Sequence, residues 1–302
     1  MSQINEKNNP VDIEDDDGIL AQKPPSFFKD ICIRFCRNRL ALISLVILVL
    51  IAFCAIFAKQ LAPYGPYEGS LANIQAKPSA EHILGCDENG RDILSRLIHG
   101  AGISLTVGFL AVGISTAISI VIGLFVAYYG RALDAIIMRF LDMIMAFPGV
   151  LLAIIFMSVF GKGLNNAIMA ITIVGIPGGV RMVRATAMAA KESDYIQAAR
   201  AIGCNDFVIM FRHILPNIMA PIIVSATMSI SGSILSTAAL GFLGLGVQPP
   251  TAEWGFMLSA GKNYIFTAPH IIMFPGIAIA ITVLSFNLFG DGLRDALDPR
   301  LK

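Results

Sequence analysis

Charge is what this chain has least of. Asp, Glu, Lys and Arg make up 14% of its 302 residues, against roughly 25% in soluble domains, while 56% are hydrophobic and the mean hydropathy is +0.72. A soluble helix buries one stripe and keeps the rest polar, but the long runs here are apolar all round, which excludes a water-soluble fold and calls for lipid as the solvent. The net charge of +1 leaves no basic field for nucleic acid. Histidines are few, and His82, His99, His213 and His270 are scattered; neither H-E-x-x-H nor G-x-S-x-G occurs, so the chain reads as non-enzymatic. No G-x-x-x-x-G-K-[ST] loop is present either, since Gly161-Lys162 and Gly261-Lys262 each lack the glycine five residues earlier. Any ATP this protein uses is bound elsewhere.

What the chain does have is a series of charge-free windows. Ala41 to Ala58 is 18 residues long, about 27 Å as a helix, which just crosses a hydrocarbon core. Further windows run from Gly100 to Gly130, Met143 to Gly161, Gly163 to Val180, Pro216 to Ala252 and Asn263 to Gly290. The expected fold is an all-α integral membrane protein with about six transmembrane helices. The Pro216 to Ala252 window has room for a re-entrant turn. With its GFLGLGVQPP run (Gly241 to Pro250) and Trp254 just beyond, it reads as a re-entrant or outer gating segment where solute contacts are expected.

Basic residues set the orientation. With the N-terminus inside, sixteen of the 22 Lys and Arg fall on the cytoplasmic side, and only Lys59, Lys77, Arg91, Arg96, Lys162 and Lys262 fall outside. Both termini are therefore expected to be cytoplasmic. Asp12, Glu14, Asp15, Asp16 and Asp17 sit where a signal peptide needs positive charge, so the first span reads as an uncleaved anchor. Only Cys86 would face the oxidising side, which leaves no intrachain disulfide across the membrane. Cys32 and Cys36 share a helix face but lack a second ligand pair, so they read as ordinary cysteines.

Organisation follows from composition. Residues 1–25 are acidic and polar, end in Pro24-Pro25, and are expected to be a disordered cytoplasmic tail. Residues 26–58 combine an amphipathic stretch, with Phe27, Phe28, Ile31 and Phe35 on one side, and the first span. That stretch is either a helix lying in the interface or a continuation of the span. An outer insert (59–98), a core (99–290) and a C-terminal tail (291–302) complete the chain. In the outer insert Gly90-Arg91-Asp92 has two readings. In one, Gly90 turns, Asp92 caps the second span and Arg91 faces water; in the other, the segment contacts a partner. Asp134, Arg139 and Asp142 read as interface charges pairing locally at i, i+3.

The inner insert (181–217) reads as two short helices joined at a hinge. Ser193 or Asp194 caps a helix with Tyr195, Ala198, Ala199 and Ile202 on one face, and Gly203 supplies the left-handed C-terminal position. Asn205 or Asp206 caps a second helix with Phe207, Met210, Phe211 and Ile214 on its apolar face, stopped by Leu215-Pro216. Small residues on such a turn leave room for a partner surface; packing on the protein's own spans is the alternative.

Gln197-Ala198-Ala199 followed by Gly203 and, thirteen positions after that glycine, Pro216 resembles the EAA loop of ABC-importer permeases, with Gln197 for the usual Glu and His213 for the usual Ile. The stretches NRLALISLVIL (Asn38 to Leu48), LAPYGPYE (Leu61 to Glu68), LGCDENGRDILSRLIHGAGISL (Leu84 to Leu105), FRHILPN (Phe211 to Asn217) and GDGLRDALDPRLK (Gly290 to Lys302) are similar to the second permease of dipeptide, oligopeptide and nickel importers, with Cys86 at a usual Thr. The resemblance implies the type I importer permease fold in a bacterial cytoplasmic membrane. It also implies a partner permease, two cytoplasmic ATPases that carry ATP and magnesium, and an external binding protein. On this resemblance Gln197, Ala198, Ala199, Gly203, Asp206, Leu215 and Pro216 form the coupling loop, and Gly90, Arg91 and Asp92 an outer partner contact. Peptide is the expected solute, with nickel the alternative in the same family and an ion-coupled secondary transporter the alternative outside it.

Overall fold

Twelve α-helices carry the described residues 27–297 of the computed structural model, whose side chains are described from Ile31 onward. The expected disordered tail and the last five residues lie outside them. Helix α1 (Phe27–Arg37) is separated from α2 (Arg39–Ile56) by Asn38, whose side chain accepts from the N–H groups of Leu40 and Ala41. The capping residue restarts the helix, so the amphipathic stretch is not a continuation of the span. Phe35 packs edge-on against Phe289, 5.4 Å between centroids, seating α1 on the last helix.

After the short α3 (Ala58–Leu61), α4 (Ile93–Tyr129) has 37 residues, about 55 Å, so it extends well past a bilayer core. Then come α5 (Arg131–Met145), α6 (Gly149–Phe160), α7 (Leu164–Lys191), α8 (Asp194–Ala201), α9 (Asp206–Val208), α10 (Leu215–Phe242), α11 (Trp254–Gly261) and α12 (His270–Leu297). Among the described residues, five helices or helical runs are long and apolar enough to cross a membrane. The sixth expected span is a bent pair: α5 and α6 meet at 88° around Phe147 and Pro148, because proline cannot donate the next helical hydrogen bond. The C-terminal segment from residue 291 continues α12 to Leu297.

Helices α4 and α7 form the most extensive packing; α10 lies against both, and α12 with α2 closes the other side. Exposed Leu42, Ile43, Val46, Val49 and Phe53 on α2 present the apolar belt that lipid covers.

Two ends are distinct. One, the basic end, gathers Arg131, Arg181, Arg184, Lys191 and residues 192–214. Asp134 and Asp142 are held there by α7, Arg184 Nε donating to Asp134 Oδ1 at 2.6 Å and Arg181 pairing with Asp142. These ion pairs join α5 to α7 rather than forming the expected local i, i+3 pairs, because the bend turns α5 toward the end of α7. At the opposite end, the insert of residues 62–92 folds over α4 and α11, with Tyr64 N–H donating to Ser95 Oγ and His270 Nε2 lying 3.3 Å from the Cys86 carbonyl.

Candidate functional site

Along the middle of the molecule, α4, α7 and α10 enclose an open groove of about 490 Å³. Small and hydroxylated residues line much of it, Ser115, Thr116 and Ser119 from α4, Gly175, Gly178 and Gly179 from α7, and Ser225, Ser229, Ser233 and Ser236 from α10, beside aliphatic side chains such as Ile171, Val174 and Ile222. No Asp, Glu, Lys, Arg or His lies among these lining residues. Ser225, Ser229 and Ser233 recur every four residues, so they stand in one row on α10. That row was readable in the sequence but was absorbed into a charge-free window. The segment read as a re-entrant or outer gating stretch, Gly241 to Trp254, lies at the insert end, where Trp254 Nε1 donates to the Leu97 carbonyl at 3.0 Å and packs α11 on α4.

The groove connects to the inner loop through packing. Leu124 and Ala127 of α4, Val183 and Ala187 of α7, Ile196 and Ala199 of α8, and Ile209, Ile214, Ile218 and Ile222 around the start of α10 make one buried cluster. Val183 and Ile222 belong both to that cluster and to the groove wall. The loop is thus a packed extension of the helices that shape the groove.

Within the loop, Gly203 has φ +80°, and α8 ends in a Schellman turn: Cys204 N–H donates to the Ala199 carbonyl at 3.1 Å and Gly203 N–H to that of Arg200 at 2.9 Å. Ser193 stands at the N-cap position, but its hydroxyl turns back to the Ala190 carbonyl; Asn205 caps the second helix by accepting from Phe207 N–H. The expected apolar faces are corrected. Ile196 and Ala199 face inward, while Tyr195, Ala198 and Ile202 are exposed, Ile202 at 81%. On the second helix Ile209, Met210 and Ile214 are buried whereas Phe207 and Phe211 are exposed. Leu215-Pro216 does not stop that helix. A π-helical turn over Ile209–Ile214, in which Leu215 N–H reaches back to the Met210 carbonyl, absorbs the proline's missing donor and shifts the phase, and the helical run continues from Asp206 to Phe242. Gln197 is exposed with its amide 3.3 Å from the Glu192 carbonyl, and Pro216 borders a shallow hollow with Phe207, Val208 and Phe211.

Asp206 is held by Tyr128, whose phenol donates to Oδ1 at 2.6 Å. The Arg200 guanidinium lies over the Tyr128 ring, 5.1 Å from its centroid, and Lys191 Nζ donates to the Tyr128 carbonyl at 2.7 Å. These contacts fasten the loop to the end of α4.

At the insert end Gly90 adopts φ +70° against the Ser70 backbone, where a side chain would collide. Asp92 caps α4 by accepting from Ser95 N–H at 2.8 Å and lies 3.0 Å from His82 Nδ1. Arg91 is buried rather than facing water: its Nε donates to Asp87 Oδ2 at 2.7 Å and its Nη2 to Glu88 Oε1 at 3.0 Å. Arg96, 1% exposed, reaches the same Asp87 at 3.3 Å and donates from Nη1 to the Pro66 carbonyl at 2.8 Å. Burial, then the charge of Asp87, raises the Glu88 carboxyl above its ordinary pKa. A carboxylate shared between two buried guanidiniums is a structural clamp, and removing one partner of such a cluster costs about 3–5 kcal/mol.

Comparison with known proteins agrees with this architecture. Residues 119–302 match the family described as binding-protein-dependent transport system inner membrane component, and residues 26–78 match the N-terminal TM domain of oligopeptide transport permease C. The chain is similar to the di/tripeptide transport system permease protein DppC of Pseudomonas aeruginosa, 46% identical over 92% of this chain and 94% of that one. It is equally similar to the dipeptide permease DppC of Alkalihalophilus pseudofirmus, with 88% of each chain covered, and to the glutathione transport system permease GsiD of Escherichia coli, with 89% of each covered. Among solved structures, an inward-facing MetNI methionine ABC transporter shares the fold, with a TM-score of 0.57 at 19% identity over 68% of this chain and 98% of that chain. Its bundle of apolar helices, its loop packed on the groove helices and these matches place the chain in the family of binding-protein-dependent transport system inner membrane components, the multi-pass permeases of ABC importers.

Proposed function

We propose that this chain forms half of the path by which short peptides enter the cell, moved by ATP hydrolysed in partner subunits. The observation that carries this reading is the shared packing of Val183 and Ile222, which join the loop cluster to the groove wall. A force applied to the loop by an ATPase reaches the groove without an intervening flexible link. Exposed Tyr195, Ile202, Phe207 and Phe211 are the surface such a partner covers, with Gln197, Ala198, Gly203 and Pro216 around them.

The charge distribution supports a cytoplasmic basic end, placing both termini inside and the 62–92 insert outside, toward a binding protein. A second, related permease closes the open side of the groove, and Gly90, Arg91 and Asp92 hold the insert in shape for its outer contacts rather than touching the partner themselves. ATP and magnesium belong to the ATPases. Relatives are named for di- and tripeptides and for glutathione, and rows of serine hydroxyls offer hydrogen bonds to peptide amides. Nickel remains the second reading within the family, less favoured because the groove lining contains no imidazole, thiolate or carboxylate. Ion-coupled transport is less favoured because Asp134 and Asp142 are paired to arginines at the basic end, away from the groove.

The test is uptake into proteoliposomes holding both permeases, the ATPases and the binding protein. Labelled dipeptide should accumulate only with ATP enclosed on the ATPase side, inside the vesicle, and the binding protein outside. Gly178→Phe, whose side chain enters open space in the groove, should block uptake while leaving assembly intact. Accumulation without ATP that follows an imposed proton or sodium gradient would overturn the reading.

A further inference from the structure

Toward the basic end the groove opens into a second hollow of about 470 Å³ that shares Met182, Ser225 and Ser229 with it. Its far wall is formed by Met228, Pro221 and Arg294. Across the lining of both hollows Arg294 is the only charged side chain among the described residues. It stands one turn from the end of α12, is exposed, and has no ion pair or hydrogen bond among the described residues. An otherwise neutral path thus ends at its inner mouth in a single guanidinium.

We infer that Arg294 is a specificity-determining residue that receives the carboxylate of the solute as it leaves the groove. The inference rests on the peptide reading and sharpens it. A short peptide carries a carboxylate that serine hydroxyls can hydrogen-bond but cannot neutralise. A guanidinium presents a planar pair of donors to that group, at the edge of a hollow otherwise lined by neutral side chains. The peptide ammonium is repelled from the same place, so the carboxylate end leads. Solutes with an additional acidic side chain gain from this arrangement, and solutes with an additional basic one lose.

The experiment compares assembled transporter carrying wild-type chain, Arg294→Lys, Arg294→Gln or Arg294→Glu, with uptake normalised to the amount of complex recovered. Two dipeptides are offered separately: alanyl-glutamate and alanyl-lysine. The ratio of uptake of the first to the second should fall about tenfold in Arg294→Glu, less in Arg294→Gln, and least in Arg294→Lys, which keeps the charge but loses the paired donors. Using a ratio cancels a general loss of activity. An unchanged ratio in Arg294→Glu with both uptakes measurable overturns the inference. So does an equal loss of both dipeptides in all three variants, which would assign Arg294 to a subunit contact or a lipid headgroup. If the wild-type complex takes up neither dipeptide although the binding protein stimulates its ATPase, the peptide reading itself fails and the role of Arg294 falls with it.

Discussion

The phenol of Tyr128 donates a 2.6 Å hydrogen bond to Asp206 Oδ1, tying the last turn of α4 to the first turn of the loop's second helix. Since α4 also carries Ser115 and Ser119 into the groove, the bond links the loop to the helix that forms one groove wall. A hydrogen bond to a charged acceptor contributes about 1.5–3 kcal/mol when well shielded, and less at this exposed site. Tyr128→Phe should keep the ring under Arg200, leave assembly intact and lower the number of solute molecules imported per ATP hydrolysed. Asp206→Ala should do the same, and the double variant should be no worse than either single one. Additive losses would show that the two residues act separately.

Gly203 makes the turn between the two loop helices. Its φ of +80° costs a β-branched residue on the order of 1–2 kcal/mol, whereas a Cβ there meets nothing within 4 Å of the chain itself. Gly203→Val should therefore give an assembled complex with stable spans and lost transport, from strain and from bulk on the surface proposed to meet the ATPase. Gly203→Asn, which tolerates the left-handed region, should retain most transport, and Gln197→Ala should change little because that side chain makes one long contact to the Glu192 carbonyl. Normal transport in Gly203→Val would remove this turn from the coupling role.

Glu253 is buried at the start of α11, accepting from the N–H groups of Gly255 and Phe256 at 2.8 Å. Desolvation raises its carboxyl above the ordinary 4.5, outweighing those two hydrogen bonds. With the folded pKa above the unfolded one, this residue's contribution to stability is fully present below the ordinary glutamate range and is lost as pH rises through the raised value. The thermal midpoint of the purified complex should carry a component that falls with rising pH across that window. Glu253→Gln should flatten that component. A wild-type midpoint whose pH dependence matches that of Glu253→Gln would contradict the assignment.

The spans were legible because lipid admits few charges: an uninterrupted apolar window is itself a physical signature, and α2, α4, α7, α10 and α12 each occupy one. The bend between α5 and α6 was not, because Pro148 inside an apolar window permits either a kink or a break. The faces of the loop helices differ from the sequence expectation for a related reason. Periodicity marks Tyr195 and Ile202 as apolar, but only the surface offered by Ile209 and Leu124 decides that Ile196 and Ala199 turn inward. The π turn over Ile209–Ile214 then shifts the phase between Phe207 and Ile214, which a 3.6-residue reading cannot anticipate. Arg91 looked solvent-facing because its partner Asp87 is brought to it by a non-helical turn. The groove was hidden by counting its serines with the apolar residues around them.

The most direct test is where the ATPase touches this chain. A photoreactive side chain placed at Ile202, 81% exposed on the loop, and another at Leu71, 87% exposed on the opposite insert, report the two ends of the molecule in the assembled transporter. Irradiation should give an adduct with the ATPase from position 202 and none from position 71. An ATPase adduct at position 71, or none at position 202 in a complex that transports normally, would contradict the account of the loop as the coupling surface.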